Sequence, residues 1–269
     1  MPELPEVEAV VENLRREGAR GARIRRVDVF HEKITAPQPS GLISRVRRRR
    51  IEQIGRRGKN IILGLSGGLW LRVHLGMTGN LRLVPDARFR SVYVRAAAVL
   101  DDGRGLVLED SRVLGRIHLY SKHEMEQLLG KLGMEPLTPN FRPERFVELA
   151  RNSRQPVKLL LMDQSRIAGL GNIYAAEALH RAGIDPRRQA RGISRVRLLK
   201  LSHSIETVLR DAVQSALIAY RNPGRIEEAE FFERTVYGRE GEPCRVCGAR
   251  IRRFAQGGRS TYCCFGCQR

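Results

Sequence analysis

Cysteine is absent from the first 243 residues of this 269-residue chain. Acidic residues are outnumbered, and no apolar run approaches the roughly 18 residues that a membrane-crossing helix requires. Without early cysteines or a signal-peptide pattern at the start, a disulfide framework is not expected. No internal repeat or low-complexity tract is present, which sets aside a solenoid. The acid deficit is large: 29 Asp plus Glu against 49 Lys plus Arg, a net charge of +20. A phosphate backbone is the economical partner for such a chain, because each neutralised phosphate releases counterion. A membrane surface is the rival polyanion, but the arginines are spread over several elements instead of one amphipathic helix. Their excess favours forked contacts over point charges. At 42% hydrophobic the chain can form real cores, and its length allows two domains plus a small module.

What cysteine there is lies in the last 26 residues: Cys244-x2-Cys247, sixteen residues, Cys264-x2-Cys267, with Cys263 extra. Pairs at this spacing supply four thiolates to one tetrahedral zinc. Gly248 follows the first pair where a tight knuckle needs it, and Ile251 to Phe254 and Ser260 to Cys263 read as strands joined at Gln256-Gly-Gly-Arg259. Strand alternation turns Cys263 away from Cys264, so the expected ligands are Cys244, Cys247, Cys264 and Cys267. About thirty residues cannot fold on an apolar core alone, and metal would supply the stability.

The opening Met1-Pro-Glu-Leu-Pro-Glu-Val-Glu8 carries the other chemical signal. Removal of Met1 would expose the secondary amine of Pro2 beside the Glu3 carboxylate. A free α-amine titrates near about 8, so part of the population is a neutral nucleophile. Pro5 suits a first helical turn, Glu6 and Glu8 suit its positive end, and Val7, Val10, Val11 and Leu14 fall on one face before Gly18. Such a helix would hold an amine still inside a site, although the same pattern also describes an ordinary capped helix.

From Ile24 to Leu108 the chain reads as β, with apolar runs at Ile61 to Leu65 and Leu69 to Leu75, alternation at Leu81 and Leu83, and a turn at Asp101-Asp-Gly-Arg104. A sandwich or barrel is the natural result. Arg45, Arg47 to Arg50, Arg56, Arg57 and Lys59 cluster before the first apolar run. His74-Leu-Gly-Met-Thr-Gly79 ends a strand in a glycine-flanked turn that exposes Met77, an unbranched tip of the kind a DNA wedge uses. Helical periods then follow at Glu124 to Leu132, Pro143 to Ala150, Val157 to Met162, Ile173 to Leu179 and Ser194 to Ala219. The Gly169-Leu-Gly-Asn172 turn can aim backbone N–H groups at a phosphate, with Asn172 a candidate helix cap. Arg221-Asn-Pro-Gly-Arg225 ends the last helix, and a loop through Phe231 and Phe232 leads to the metal module.

Pro2 to Glu8, Arg57-Gly-Lys59, His74 to Gly79, Gly169-Leu-Gly-Asn-Ile-Tyr-Ala175, Val236-Tyr-Gly-Arg-Glu-Gly-Glu-Pro-Cys244 and Arg259-Ser-Thr-Tyr262 together resemble the bacterial formamidopyrimidine-DNA glycosylase family and its endonuclease VIII relatives, nearly end to end. Leu4 brings the opening motif closer to the formamidopyrimidine branch. The resemblance implies an α+β multidomain chain: an N-terminal β-sandwich with an N-terminal helix (1–125), a linker (126–143), a helix-two-turn-helix domain with a lesion-loop region (144–236) and a β-hairpin zinc finger (237–269). It implies damaged double-stranded DNA as partner, oxidised purines as the usual substrate, one structural zinc, a monomer, and a bacterial cytoplasmic, nucleoid-associated location. Pro2 becomes the nucleophile, Glu3 the proton-transfer residue, Glu6 a support, and Lys59 a phosphate or sugar contact. Lys158, Asn172 and Arg259 match phosphate-gripping positions, and Met77 the residue that fills the space left by an everted nucleotide. An iminium at the sugar would serve β- and then δ-elimination after base loss. A noncatalytic or structure-specific DNA-binding relative is the alternative, disfavoured by retention of Pro2 and Glu3.

Two stretches depart from the family. Asp110-Ser-Arg-Val-Leu-Gly115 keeps Arg112 and Gly115 of the usual Asp-Pro-Arg-Arg-Phe-Gly but puts Leu114 where the aromatic wedge belongs. Gln214 to Tyr220 lacks the usual Gly-Gly-Thr/Ser-Thr-Leu entry to the lesion-covering loop.

Overall fold

A computed structural model describes residues 2–221 and 232–269, apart from the Ser40 side chain. Met1, most of the Arg221 to Arg225 turn, and Phe231 lie outside the described residues. The chain divides into two compact units, Met1–Lys131 with Ser215–Glu230, and Leu132–Gln214 with Phe231–Arg269.

The first unit opens with α1 (Leu4–Arg16), whose Val7, Val10, Val11 and Leu14 are buried as their spacing predicts. Eight strands follow: β1 (Ile24–Val29), β2 (Ile51–Arg57), β3 (Asn60–Leu65), β4 (Leu69–His74), β5 (Gly79–Val84), β6 (Val94–Leu100), β7 (Gly105–Asp110) and β8 (Arg116–Ser121). They form two four-stranded antiparallel sheets, ordered β1-β6-β7-β5 and β2-β3-β4-β8. Inward residues of both, Ile61, Leu63, Leu71 and Val73 among them with Leu81, Leu83, Leu106 and Leu108, share one core. Fully burying each such side chain stabilises the fold by about 1.5–3 kcal/mol. Helix α1 packs along the β2 and β5 edges and closes that side, while 3-10 turns at Glu32–Ile34 and Ser40–Val46 cover the β1 and β8 side.

Strands β2 and β8 do not stand out in the sequence. A register shift between Ile51 and Gln53 makes Glu52 an extra residue, so the buried positions of β2, Ile51 and Ile54, lose the alternation that marks a strand. Helix α2 (Lys122–Gly130) follows β8, capped by Ser121 and Glu124, and begins two residues earlier than the periodicity suggests.

In the second unit α3 (Pro143–Arg151), α4 (Val157–Met162), α5 (Asn172–Ala182) and α6 (Arg195–Ala219), the last as far as Gln214, occupy the segments expected to be helical. The hairpin β9 (Arg252–Gln256) and β10 (Arg259–Cys263) turns through Gly257 and Gly258, both with positive φ, and pairs Gln256 with Arg259. Positive φ at both central residues is the requirement of a two-residue hairpin turn.

Candidate functional site

The first functional group is the start of α1. Pro2 and Glu3 are both buried, and the Glu3 amide donates to Glu6 Oε2 at 2.8 Å. Because Glu6 is itself only 3% exposed, the terminus is tied to a rigid helix instead of fraying in solvent. One turn on, Glu8 forms an ion pair with Arg56 of β2, which leads directly into the Arg57-Gly-Lys59 turn. Lys59 is 7% exposed and acts electrostatically on His74 of the neighbouring strand β4. Burial, then Arg72, Lys59 and Arg116, hold the His74 imidazole down at about 4, so at neutral pH its Nδ1 accepts the Gly76 amide at 3.1 Å. The N-terminal turn and the Lys59 turn are thus joined through α1 and β2, and the Lys59 turn leads on to the loop of Met77.

Met77 and Leu114 project into solvent, 38% and 39% exposed, from two loops that touch backbone to backbone. Gly76 allows the contact: a Cβ there would lie 2.5 Å from the Leu114 carbonyl carbon. Asp110, 1% exposed, organises both loops. Its carboxylate accepts from the Thr78 hydroxyl and from the amides of Arg112 at 3.2 Å, Leu114 at 2.7 Å and Gly115 at 2.6 Å. That grip spans Val113, which sits at φ 55°, a backbone conformation unfavourable for a β-branched residue. Arg112 is exposed between these tips, its Nη1 3.5 Å from the Met77 sulfur. The motif comparison gave Asp110 no role of its own; its signal is an aspartate four and five residues before amides that no strand ladder uses.

In the second unit Lys158, Asn172 and the hairpin of Arg259 converge. Lys158, expected to grip phosphate, is fully buried, and its Nζ donates to Thr261 Oγ1 at 2.6 Å and to the Ser260 carbonyl at 3.2 Å. In this arrangement it anchors the hairpin. Asn172 does not cap α5, because Gly171 takes that position in extended conformation; instead Asn172 Nδ2 donates to the Ser260 carbonyl at 3.0 Å. Arg259, which precedes this shared acceptor, is exposed.

The thiol sulfurs of Cys244, Cys247, Cys264 and Cys267 all lie within 4.8 Å of one another. Separations of 3.8 Å for Cys244 to Cys267 and 3.4 Å for Cys247 to Cys264 suit a tetrahedral set, where metal–sulfur bonds of about 2.3 Å put sulfurs roughly 3.8 Å apart. The set is able to hold one metal ion. Cys263 is outside it; its side chain is buried, and burial pushes the thiol up to about 12. A residue that sequence reading missed fastens this module to α5: Glu177, 2% exposed, accepts the Thr235 hydroxyl and the amides of Thr235 at 2.8 Å, Val236 at 3.1 Å and Tyr237 at 2.8 Å.

Sequence comparison matches the formamidopyrimidine-DNA glycosylase N-terminal domain to residues 1–117 and the formamidopyrimidine-DNA glycosylase H2TH domain to residues 132–221. A formamidopyrimidine-DNA glycosylase of Chloroflexus aggregans is 39% identical over 272 residues, covering 100% of this chain and 98% of its own, and one from Pseudomonas putida is 40% identical over 281, covering 100% of both. The Lactococcus lactis Fpg in complex with abasic-site DNA superposes with a TM-score of 0.88 at 28% identity, covering 99% of each chain. The same enzyme with an N7-benzyl-Fapy-dG DNA gives 0.89 at 29%, covering 100% of each.

Proposed function

Because the chain belongs to the formamidopyrimidine-DNA glycosylase family, we propose that it is a bifunctional DNA glycosylase and abasic-site lyase of base excision repair, with Pro2 as its nucleophile. The observation that carries this reading is the fastening of the chain start: Glu3 is buried beside Pro2, and the Glu6 carboxylate holds the Glu3 amide. A secondary amine so positioned, once Met1 is removed, attacks the sugar C1′ as the bond to the base breaks. The single N–H proton of the amine leaves with the departing base, Glu3 delivers a proton to the sugar ring oxygen as the ring opens, and the nitrogen, with no further N–H to lose, remains a cationic iminium. That electron sink acidifies the hydrogen at C2′. Its loss expels the 3′-phosphate, and a second elimination expels the 5′-phosphate, which leaves a gap.

Lys59, beside His74 and preceded by Arg57, supplies positive charge at the nucleophile's end of the domain. Met77, Arg112 and Leu114 fill the space of the everted nucleotide, and Arg259 and Asn172 take backbone phosphates, with Lys158 holding their hairpin in place. The four-sulfur site holds zinc, whose part is to keep that hairpin folded, through Cys244, Cys247, Cys264 and Cys267. Damaged duplex DNA is the substrate. No helix among the described residues is long and apolar enough to cross a membrane.

Borohydride reduction on abasic-site DNA tests the assignment. The protein should become covalently joined to the strand, weakly for Pro2→Gly and not at all when a blocking extension precedes Pro2. Full trapping by the extended protein excludes Pro2 as nucleophile. Specific binding of lesion duplex with no trapping would favour the noncatalytic relative.

A further inference from the structure

The first unit carries a second arginine surface, at the end of the domain opposite the catalytic amine. Residues Gly21 to Ile24 pair with Arg48 to Ile51: the Ile24 amide donates to Arg49 O at 2.9 Å, the Arg48 amide to Ile24 O at 2.6 Å, and the Gly21 amide to Ile51 O at 2.8 Å. Arg23 and Arg50 face each other across this short ladder. Like charges directly opposite in a strand pair destabilise it. A register shift makes Arg25 an extra residue in β1 and pushes it out of the ladder. Arg20, Arg23, Arg25, Arg26, Arg47, Arg48 and Arg50 are all exposed. Among the described residues the guanidinium groups of Arg23, Arg25, Arg47, Arg48 and Arg50 form no ion pair, Asp101 accepting only the Arg23 backbone amide, and Arg26 pairs with Asp28.

The path of α1 fixes where this surface lies. Glu8 meets Arg56, Arg15 donates to Ile54 O at 2.7 Å, and Gly21 reaches Ile51 O. Chain direction along α1 therefore runs from the Lys59 end of β2 to its Ile51 end. A thirteen-residue helix spans about 20 Å, as does a strand of six or seven residues. That length is comparable to the width of a duplex, so DNA held at Pro2 leaves these arginines unneutralised.

We propose that this surface binds the phosphate backbone of a second duplex segment, so that one protein molecule bridges two stretches of DNA. Arg48, at φ 63° in a turn, and Arg50 lie beside Arg23 and the bulged Arg25, and together they present several guanidinium forks to a phosphate backbone. No large apolar side chain is exposed between residues 20 and 26 or between 45 and 51, so the surface has charge and hydrogen-bond donors but nothing to insert into a lipid layer.

The test immobilises a short duplex with a tetrahydrofuran abasic analogue on beads, saturates it with protein, and measures capture of a labelled undamaged duplex that reaches the beads only through the protein. Wild type should capture it. The variant Arg25→Gln/Arg47→Gln/Arg48→Asn/Arg50→Gln should lower capture at least tenfold while binding to the immobilised duplex changes less than twofold. Its salt dependence should flatten by roughly 3 to 4 in log–log slope, at about 0.9 per lost phosphate contact. Should the quadruple variant lose lesion-duplex binding, the double variant Arg25→Gln/Arg47→Gln must still lower capture at least threefold. Absence of capture by wild type, or equal capture by the variants, overturns the proposal. Binding to phosphatidylserine vesicles that is lost in the variants, without capture of duplex by wild type, assigns the surface to membranes instead. None of these outcomes depends on strand cleavage, so a failed Pro2 assignment leaves the test intact.

Discussion

Asp110 accepts the amide of Gly115 at 2.6 Å, and with it a single buried carboxylate sets the position of both solvent-facing tips, Met77 and Leu114. Its other bonds reach the Thr78 hydroxyl on one loop and the Arg112 and Leu114 amides on the other. Asp110→Asn keeps the size but turns part of the acceptor into a donor facing those amides. The expected loss is about 2 kcal/mol or more of stability, on the scale of hydrogen bonds to charged groups. Weaker lesion binding should accompany it, while borohydride trapping at saturating abasic DNA is largely retained. Chemical denaturation alongside a binding titration checks both; an unchanged midpoint would show that the loops hold themselves.

Val113, spanned by that grip, predicts the opposite sign. Its φ of 55° costs roughly 1–2 kcal/mol for an ordinary residue, and asparagine tolerates the region better. Val113→Asn should raise stability by about 1 kcal/mol. A fall in melting temperature would show that the Val113 side chain contributes more by packing than its backbone loses.

His74 makes stability depend on pH. Its folded value lies below the ordinary 6.5, held down first by burial and then by Arg72, Lys59 and Arg116. Between about 4 and 6.5 the unfolded chain binds the proton that the folded chain refuses, so this contribution is present above 6.5 and is lost as pH falls toward 4. Urea midpoints at about pH 7 and pH 5 should therefore differ more in wild type than in His74→Asn. Equal differences in the two proteins would remove His74 from the account.

For the metal site, elemental analysis of Cys263→Ser should still find one zinc per chain, and Cys264→Ser should lose it together with duplex binding. The buried Cys263 thiol, pushed up to about 12, is a poor source of thiolate. The reverse result would exchange the two cysteines.

Leu114 bears on the lesion. It can exclude water from a vacated base position but cannot stack, a difference of up to about 1–3 kcal/mol on the scale of base–aromatic contacts. Abasic sites, where no base is expelled, should be cut readily, 8-oxoguanine opposite cytosine more slowly, and ring-opened lesions in preference to it. Leu114→Phe should speed 8-oxoguanine excision several-fold and leave abasic cleavage nearly unchanged. Single-turnover rates on matched duplexes decide it, and equal wild-type rates on the two substrates would refute the narrow specificity.

Much of this was legible in the sequence because the signals were local. The α1 stripe lies within one helix, the turn at Asp101 to Arg104 and the glycine hairpin at Gln256 to Arg259 each span four consecutive residues, and all three have their expected form. Strand β2 was hidden because the extra Glu52 breaks its alternation, and its arginines look like a solvated run. Asp110 and Glu177 were hidden for a different reason. Their partners are backbone amides, which have no residue type to recognise, and those of Glu177 lie 58 to 60 residues away. The burial of Lys158 was hidden because a motif match supplies a charge without its surroundings.

The buried Lys158 ammonium also determines how the second unit comes apart. Its acceptors, Thr261 Oγ1 and Ser260 O, belong to the hairpin, and Ala176 of α5 shares an apolar cluster with Val236, Cys244, Ile251 and Cys264. Stripping the metal would therefore take two hydrogen-bond acceptors from a desolvated cation and open the α5 surface in the same event. Amide exchange after chelation should quicken in α4 and α5 as well as in the finger, so that a thirty-residue tail and the helices before it unfold as one cooperative block.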